Sequence, residues 1–299
     1  MEGSSIKGVE KIIVAKSAGF CFGVKRAIKM AFETCRDENS EEIYTLGQII
    51  HNPQVVEQLE ERGVTLVNSV QDISCGTLIV RSHGLTRDEK DMLRGKDIRV
   101  VDATCPFVTK AQEYATYLAK EGYTVIILGD RDHPEVKSIR SFVEDVGDVI
   151  TDLEEIRNAK KRKKAGIVAQ TTQTYENLIR WVSVSLEVFQ EVRVFNTICS
   201  ATTVRQRETV EIAKNVDAMI IIGGFNSANT KRLAELASKW NDRVYHIERA
   251  EELRDDMIAG IQVIGLSAGA STPDWAISEL IEHIKKGWGV DRILVVRGL

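Results

Sequence analysis

The sequence predicts an α/β protein made of three repeated units, each built on a small parallel sheet. Three observations carry that expectation: cysteines that recur after β-branched runs, glycine turns at a near-constant distance beyond them, and polar loops that end in a threonine just ahead of a helix.

The first recurring element is a β-branched run followed by a cysteine. Lys11-Ile12-Ile13-Val14-Ala15 precedes Cys21, Ile98-Arg99-Val100-Val101-Asp102 precedes Cys105, and Val192-Arg193-Val194-Phe195 precedes Cys199. A helix follows each one. After Cys21, residues Val24, Ala27, Ile28, Ala31, Phe32 and Cys35 recur at helical spacing. Thr104-Cys105-Pro106 places proline where a first helical turn tolerates it.

The second element is a strand, a glycine turn and a polar loop. Tyr44-Thr45-Leu46-Gly47 leads to His51-Asn52-Pro53, Val125-Ile126-Ile127-Leu128-Gly129 to His133-Pro134-Glu135, and Met219-Ile220-Ile221-Ile222-Gly223 to Asn226-Ser227-Ala228-Asn229. The step from cysteine to loop is 30 residues (21 to 51), then 28 (105 to 133), then 28 (199 to 227).

The third element runs from Leu78-Ile79-Val80 into Ser82-His83-Gly84, from Gly166-Ile167-Val168 into Gln170-Thr171-Thr172, and from Val263-Ile264-Gly265-Leu266 into Ala268-Gly269-Ala270-Ser271. Thr86, Thr174 and Thr272 then stand two residues before an acid, which predicts three N-caps with negative charge in the first turn. Strands alternating with helices imply parallel sheets with right-handed crossovers, whose ligands sit at the carboxyl ends of the strands. The expected units are 12–104, 105–198 and 199–285, with a C-terminal strand or tail over 286–299. Their polar loops are expected to face one centre.

Composition narrows the function. The chain has 299 residues, 43% of them hydrophobic and 28% charged, as in an ordinary globular protein. A net charge of −4 supplies no basic field for nucleic acid or anionic membrane. No apolar run approaches the roughly 18 residues of a membrane span, and Ile12–Ala15 is too short for a signal-peptide core, so a cytoplasmic protein is expected. Five cysteines, an odd number, argue against a disulfide framework.

Three repeat-equivalent cysteines offer three thiolates, the usual ligands of iron–sulfur clusters and also suited to structural zinc. A closed zinc site would draw a fourth ligand from the spaced histidines. A four-iron cube on three cysteines would leave one iron open to a ligand. Cys35, on an apolar stripe, and Cys75, in a turn, read as structural.

His51, His83 and His133 occupy corresponding loops, with Thr171, Ser227, Asn229 and Ser271 at the matching turns. Singly, each is a cap or turn residue; together with helix N-termini they suit phosphate groups. Glu135 compensates a helix dipole on its own, and becomes a general acid if the loops converge. The run Lys160–Lys164 reads as a solvated loop, and Gly223-Gly224-Phe225-Asn226 lacks the spacing of a dinucleotide fingerprint.

Gly19-Phe20-Cys21-Phe22-Gly23-Val24, His51-Asn52-Pro53, Ser82-His83-Gly84, Asp102-Ala103-Thr104-Cys105-Pro106, His133-Pro134-Glu135-Val136, Gln170-Thr171-Thr172 and Ala268-Gly269-Ala270-Ser271-Thr272-Pro273-Asp274 together resemble the 4-hydroxy-3-methylbut-2-enyl diphosphate reductase family over residues 12 to 285. The resemblance implies a [4Fe-4S] cluster on Cys21, Cys105 and Cys199, with the substrate hydroxyl oxygen at the unique iron. Two electrons from a ferredoxin or flavodoxin and two protons would then yield isopentenyl and dimethylallyl diphosphate. It further implies that Glu135 delivers protons, that Thr171 orients the substrate oxygen with His133 in the same network, and that His51, His83, Ser227, Asn229 and Ser271 grip the diphosphate. Ala228 departs from a position that is often serine in the family, which removes one side-chain donor. Two other readings are a non-catalytic iron–sulfur sensor of a phosphorylated ligand and a closed zinc protein.

Overall fold

The computed structural model describes residues 8–37, 42–144, 149–159, 163–288 and 294–297. Along the chain these form β1 (Lys11–Val14), α1 (Phe22–Cys35), β2 (Ile43–Leu46), α2 (Pro53–Glu60), β3 (Val64–Val67), β4 (Gly76–Val80), α3 (Arg87–Leu93) and β5 (Ile98–Asp102). Next come α4 (Pro106–Lys120), β6 (Thr124–Leu128), α5 (Pro134–Ser141), β7 (Val149–Ile150), α6 (Leu153–Asn158), β8 (Lys164–Ala169), α7 (Tyr175–Val188) and β9 (Glu191–Val194). The last stretch holds α8 (Ser200–Ala213), β10 (Ala218–Ile222), α9 (Ala228–Ala237), β11 (Val244–Ile247), α10 (Asp255–Ile258), β12 (Val263–Ala268), α11 (Asp274–Gly287) and β13 (Leu294–Arg297).

The strands make three parallel sheets with helices, the α/β class the repeat predicts. Their orders are β3-β2-β4-β5, β7-β6-β8-β9 and β11-β10-β12-β1-β13. One rule generates all three: the strand of the glycine turn lies second from one edge, and the strand leading to a cysteine pairs with the strand of the preceding third element. Thus β5 pairs with β4, β9 with β8, and β1 with β12.

Sheet membership therefore divides the chain differently from the expected units. β1 opens the expected unit 12–104 but belongs to the sheet of β10 and β12, because its partner in the repeat is the last third-element strand, not the first. The strand expected within 286–299 is β13, parallel to β1.

By compactness the chain separates into two units. One comprises Met1–Cys21, His51–Pro53 and Ser200–Leu299; the other comprises Phe22–Ile50 and Gln54–Cys199. In the second unit, alternate residues of β6 point to opposite faces. Val125 and Ile127 pack with Ala111, Leu118, Val136 and Ile139 of α4 and α5. Ile126 and Leu128 pack with Ile156 and Leu178 of α6 and α7. Every residue of β6 is buried, as befits a parallel strand covered on both sides. Gly166 of β8 lets α4 approach closely, since a methyl there would overlap Leu118.

The first unit repeats that plan. Ile220, Ile222, Ile264 and Leu266 face Ile277, Leu280 and Ile284 of α11, while Met219, Ile221 and Ile13 face Ile212 of α8 and Leu233 of α9.

The caps divide two to one. Thr86 forms a capping box with Glu89, and Thr174 accepts the amide of Asn177. Thr272 is not a cap: Pro273 intervenes, the helix starts at Asp274, and the buried Thr272 hydroxyl donates to Ile222 O at 3.0 Å. Of the basic run, 160–162 lie outside the described residues, and Lys164 donates to Glu121 O at 2.8 Å. No described helix is long and apolar enough to cross a membrane.

Candidate functional site

The three cysteines share one local geometry. The amide of Cys105 donates to Ser82 O (2.9 Å), that of Cys199 to Thr171 O (3.0 Å), and that of Cys21 to Ala270 O (3.2 Å). Each carbonyl belongs to the third-element loop that the repeat pairs with that cysteine. All three residues are partly exposed, and each directly precedes a helix, α4, α8 or α1, whose N-terminal dipole favours an anionic ligand. All five cysteines are thiols. Three soft donors, accessible and unspent on disulfides, fit an iron–sulfur cluster. Cys75 is exposed in its turn, and Cys35 closes α1, where burial pushes its thiol pKa up.

Cys105, Cys199, His83, His133, Glu135 and Thr171 lie in the second unit. Glu135 is only 2% exposed because α5 begins against the loop that ends β8. Its Oε1 accepts the Thr171 amide at 2.6 Å and its Oε2 accepts the Thr171 hydroxyl at 2.9 Å. Burial outweighs those two bonds and raises its pKa to about 7.

His133 caps α5, its Nδ1 accepting the amide of Glu135 at 3.1 Å, which puts the proton of a neutral ring on Nε2. The rings of His83 and His133 meet edge to face with centroids 5.1 Å apart. Beneath them, buried Ser138 accepts from Gln112 Nε2 (2.6 Å) and donates to Leu85 O (2.7 Å), tying α4, α5 and the His83 loop together.

The shifted carboxyl has a consequence for stability. A pKa raised above the unfolded value of about 4.5 means that the folded protein holds its proton more tightly. The stabilising term is complete below pH 4.5, declines as pH rises, and is lost above about 7. The span corresponds to about 3 kcal/mol. Glu135→Gln is expected to remove this decline, so the gap in unfolding midpoint between variant and parent widens from pH 4.5 to 7. A constant gap across that range in thermal melts would show that Glu135 titrates normally.

Cys21, His51, Ser227, Asn229 and Ser271 lie in the first unit. The Ser271 hydroxyl donates to His51 O at 3.0 Å. The same carbonyl rests on Gly224, where a Cβ would come within 2.5 Å of it. Ser227 caps α9, accepting the Thr230 amide at 3.3 Å. Glu248 Oε1 accepts the Phe225 amide (2.5 Å), and His246 Nε2 lies 2.8 Å from Gly223 O, so β11 braces the loop before α9. Asn229 is 4% exposed, and neither polar atom of its side chain has a hydrogen-bond partner among the described residues. A buried amide with nothing to bond is costly unless a ligand completes it. Ala228 begins α9 and offers no side-chain donor.

The structure thus places every site residue of the sequence reading at the end of a strand or the start of a helix. Sequence reasoning quoted Gln170 but gave it no role. It is fully buried, its Oε1 accepts the Asp130 amide at 3.0 Å, and its Nε2 has no partner among the described residues. The only sequence signal was a second polar residue directly after the apolar run of β8.

Comparison with known proteins identifies the family. The "LytB protein" family model matches residues 12–285. A 4-hydroxy-3-methylbut-2-enyl diphosphate reductase from Geobacter sulfurreducens is 52% identical over 276 residues, covering 92% of this chain and 97% of the relative. The reductase of the same name from Syntrophotalea carbinolica is 49% identical over 276 residues, covering 92% and 98%. A solved structure of (E)-4-hydroxy-3-methyl-but-2-enyl diphosphate reductase, described as the terminal enzyme of the non-mevalonate pathway, is 44% identical with a TM-score of 0.69, covering 93% of this chain and all of that one. The Plasmodium falciparum reductase structure shares the fold at 24% identity and a TM-score of 0.88, covering 97% and 92%. Because the match runs through all nine motif loops and both units, the chain belongs to the LytB protein family.

Proposed function

We propose that the chain reductively dehydroxylates (E)-4-hydroxy-3-methylbut-2-enyl diphosphate to isopentenyl and dimethylallyl diphosphate. The balance is one allylic alcohol, two electrons and two protons giving one alkene and water. Cys21, Cys105 and Cys199 would hold a [4Fe-4S] cluster, which when bound supplies single electrons and an open Lewis-acidic iron. Reduced ferredoxin or flavodoxin in the cytosol would be the electron donor.

The chain's own residues handle the protons and the anion. Burial disfavours the charge of Glu135 and raises its pKa to about 7, so that near neutral pH about half of the molecules hold a proton there. A proton on Oε2 reverses the bond to Thr171: the carboxyl donates, the threonine oxygen accepts, and the Thr171 O–H turns towards the substrate hydroxyl. Passing one proton along that pair lets the hydroxyl leave as water, and the second proton goes to carbon at one end or the other of the reduced allylic unit, which gives the two products. His133 holds the first turn of α5 through the Glu135 amide, keeping the carboxyl on Thr171.

His51, His83, Ser227, Asn229 and Ser271 would bind the diphosphate, with the N-terminus of α9 supplying main-chain donors where Ala228 offers none. Buried Asn229 supports this part most directly. Asn229→Ala should weaken substrate affinity by about one to two orders of magnitude, since a hydrogen bond to a charged group contributes about 1.5–3 kcal/mol. Unchanged affinity by calorimetry would place the anion elsewhere.

The single observation that carries the reading is the buried carboxyl of Glu135 on Thr171, a general acid already poised. Anaerobic purification with iron and sulfide analysis, followed by assay with the diphosphate and a chemical reductant, tests the whole. The expected result is about four irons per chain and formation of both alkenes. Iron-loaded protein that turns nothing over would favour the sensor reading, and zinc in place of iron would end both.

A further inference from the structure

We infer that each helix following a cysteine braces the backbone that carries the next cysteine, and that Arg205 and Glu208 are the positioning residues for Cys21. The inference rests on the cluster reading above and adds residues that no repeat motif marks.

The braces form a cycle. α1, after Cys21, sends Arg26 to Thr104 O (3.1 Å) and Asp102 O (3.3 Å), the residues leading into Cys105. α4, after Cys105, stacks Tyr114 on Phe195 at 4.2 Å between centroids, in the segment leading into Cys199. α8, after Cys199, sends Arg205 back to the segment leading into Cys21. Arg205 donates from Nε and Nη2 to Ser17 O (2.9 and 2.5 Å) and from Nη2 to Gly19 O (2.6 Å).

The third brace is the most elaborate, and the loop it holds explains why. Cys105 is the third residue beyond its strand, Cys199 the fifth and Cys21 the seventh. The Cys21 segment is therefore the longest and has the most backbone to restrain. One turn along α8 from Arg205, Glu208 accepts the amides of Lys16 (2.6 Å) and Ser17 (2.8 Å) and the Ser17 hydroxyl (2.6 Å). A cation on carbonyls and an anion on amides together satisfy both polarities of one short stretch. Asp274 closes the other side, its Oδ1 2.6 Å from where a Cβ of Gly19 would sit, at a φ of +102°.

Comparison between repeats isolates Arg205. Six residues after each cysteine stand Ala27, Ala111 and Arg205, all buried. Ala111 packs α4 against Val125 and Ile127 of β6, and Ala27 is fully buried in α1. A guanidinium at the third, 3% exposed, is a costly way to fill that space unless its donors are needed. Its Nε and Nη2 are spent on the segment that carries a proposed cluster ligand. Residues that hold ligands in this way commonly change metal affinity about 10- to 100-fold when removed.

The test is extraction of iron by a chelator from anaerobically loaded protein, read beside the melting temperature of the apoprotein. Arg205→Met is expected to lose iron about 10- to 100-fold faster than the parent, with an altered spectrum of the reduced cluster. Arg205→Lys should recover part of the difference, because an ammonium still reaches one carbonyl. Glu208→Gln, which keeps shape and is partly exposed, should accelerate loss to a smaller degree and serves if Arg205→Met does not fold. Extraction rates within about twofold of a cluster-bearing parent in the folded variants, or a lowered apoprotein melting temperature with no change in extraction, would overturn the brace while leaving the cluster reading intact. A parent that takes up no iron would instead sink the cluster reading and this inference with it.

Discussion

Replacing Glu135 by Gln is expected to lower turnover by about 100- to 10,000-fold while cluster content and substrate affinity survive. Glutamine keeps the size of the side chain and an oxygen that can accept from Thr171. It lacks only the transferable proton. In its bland role, Glu135 merely answers the dipole of α5, and the same change would cost at most about 1 kcal/mol of stability. Its surroundings support the acid role: a carboxyl placed only to complement a dipole has no need to be 2% exposed, nor to spend both oxygens on one threonine. Measurement of single-turnover rates on reduced, loaded protein decides it. Turnover close to the parent's would return Glu135 to the structural role and leave the proton source unassigned.

Cys105→Ser is expected to leave less than about a tenth of the parent's iron and sulfide after anaerobic reconstitution, because a hard oxygen replaces a soft thiolate. The fold should be indifferent. The Cys105 amide keeps Ser82 O, and Thr104 stays anchored through its amide and hydroxyl on Asp102 Oδ1 at 2.9 and 2.5 Å. Apoprotein melting temperatures of variant and parent should therefore agree. Cys75→Ser and Cys35→Ser serve as controls that retain the cluster. Full iron loading in Cys105→Ser would end the three-thiolate assignment.

The repeat was legible because it is written in local chemistry. β-Branched runs, glycine turns and polar strand ends depend on residues within a few positions of one another, so nine loops in order could be read directly. The same locality misled at Thr272. Its spacing to Asp274 matches that of Thr86 to Asp88, yet Pro273 shifts the helix start and a strand carbonyl captures the hydroxyl. Gln170 and Arg205 were missed for the opposite reason: their partners are 40 and more than 180 positions away, and no spacing rule reaches that far.

By itself the sequence determined the α/β class, the three equivalent cysteines, the histidine-bearing loops and, through the joint resemblance of its motifs, the reductase family. Periodicity and turn chemistry suffice for the first of these, and motif order for the rest. Only the tertiary structure decided that β1 completes the sheet of β10 and β12, since hydrogen-bonded strands may be first and last in the chain. It alone buried Glu135 against Thr171, turning an ordinary first-turn acid into one that holds its proton to about pH 7. Desolvation depends on everything packed around a group, and neighbours in space are what a linear sequence leaves unstated.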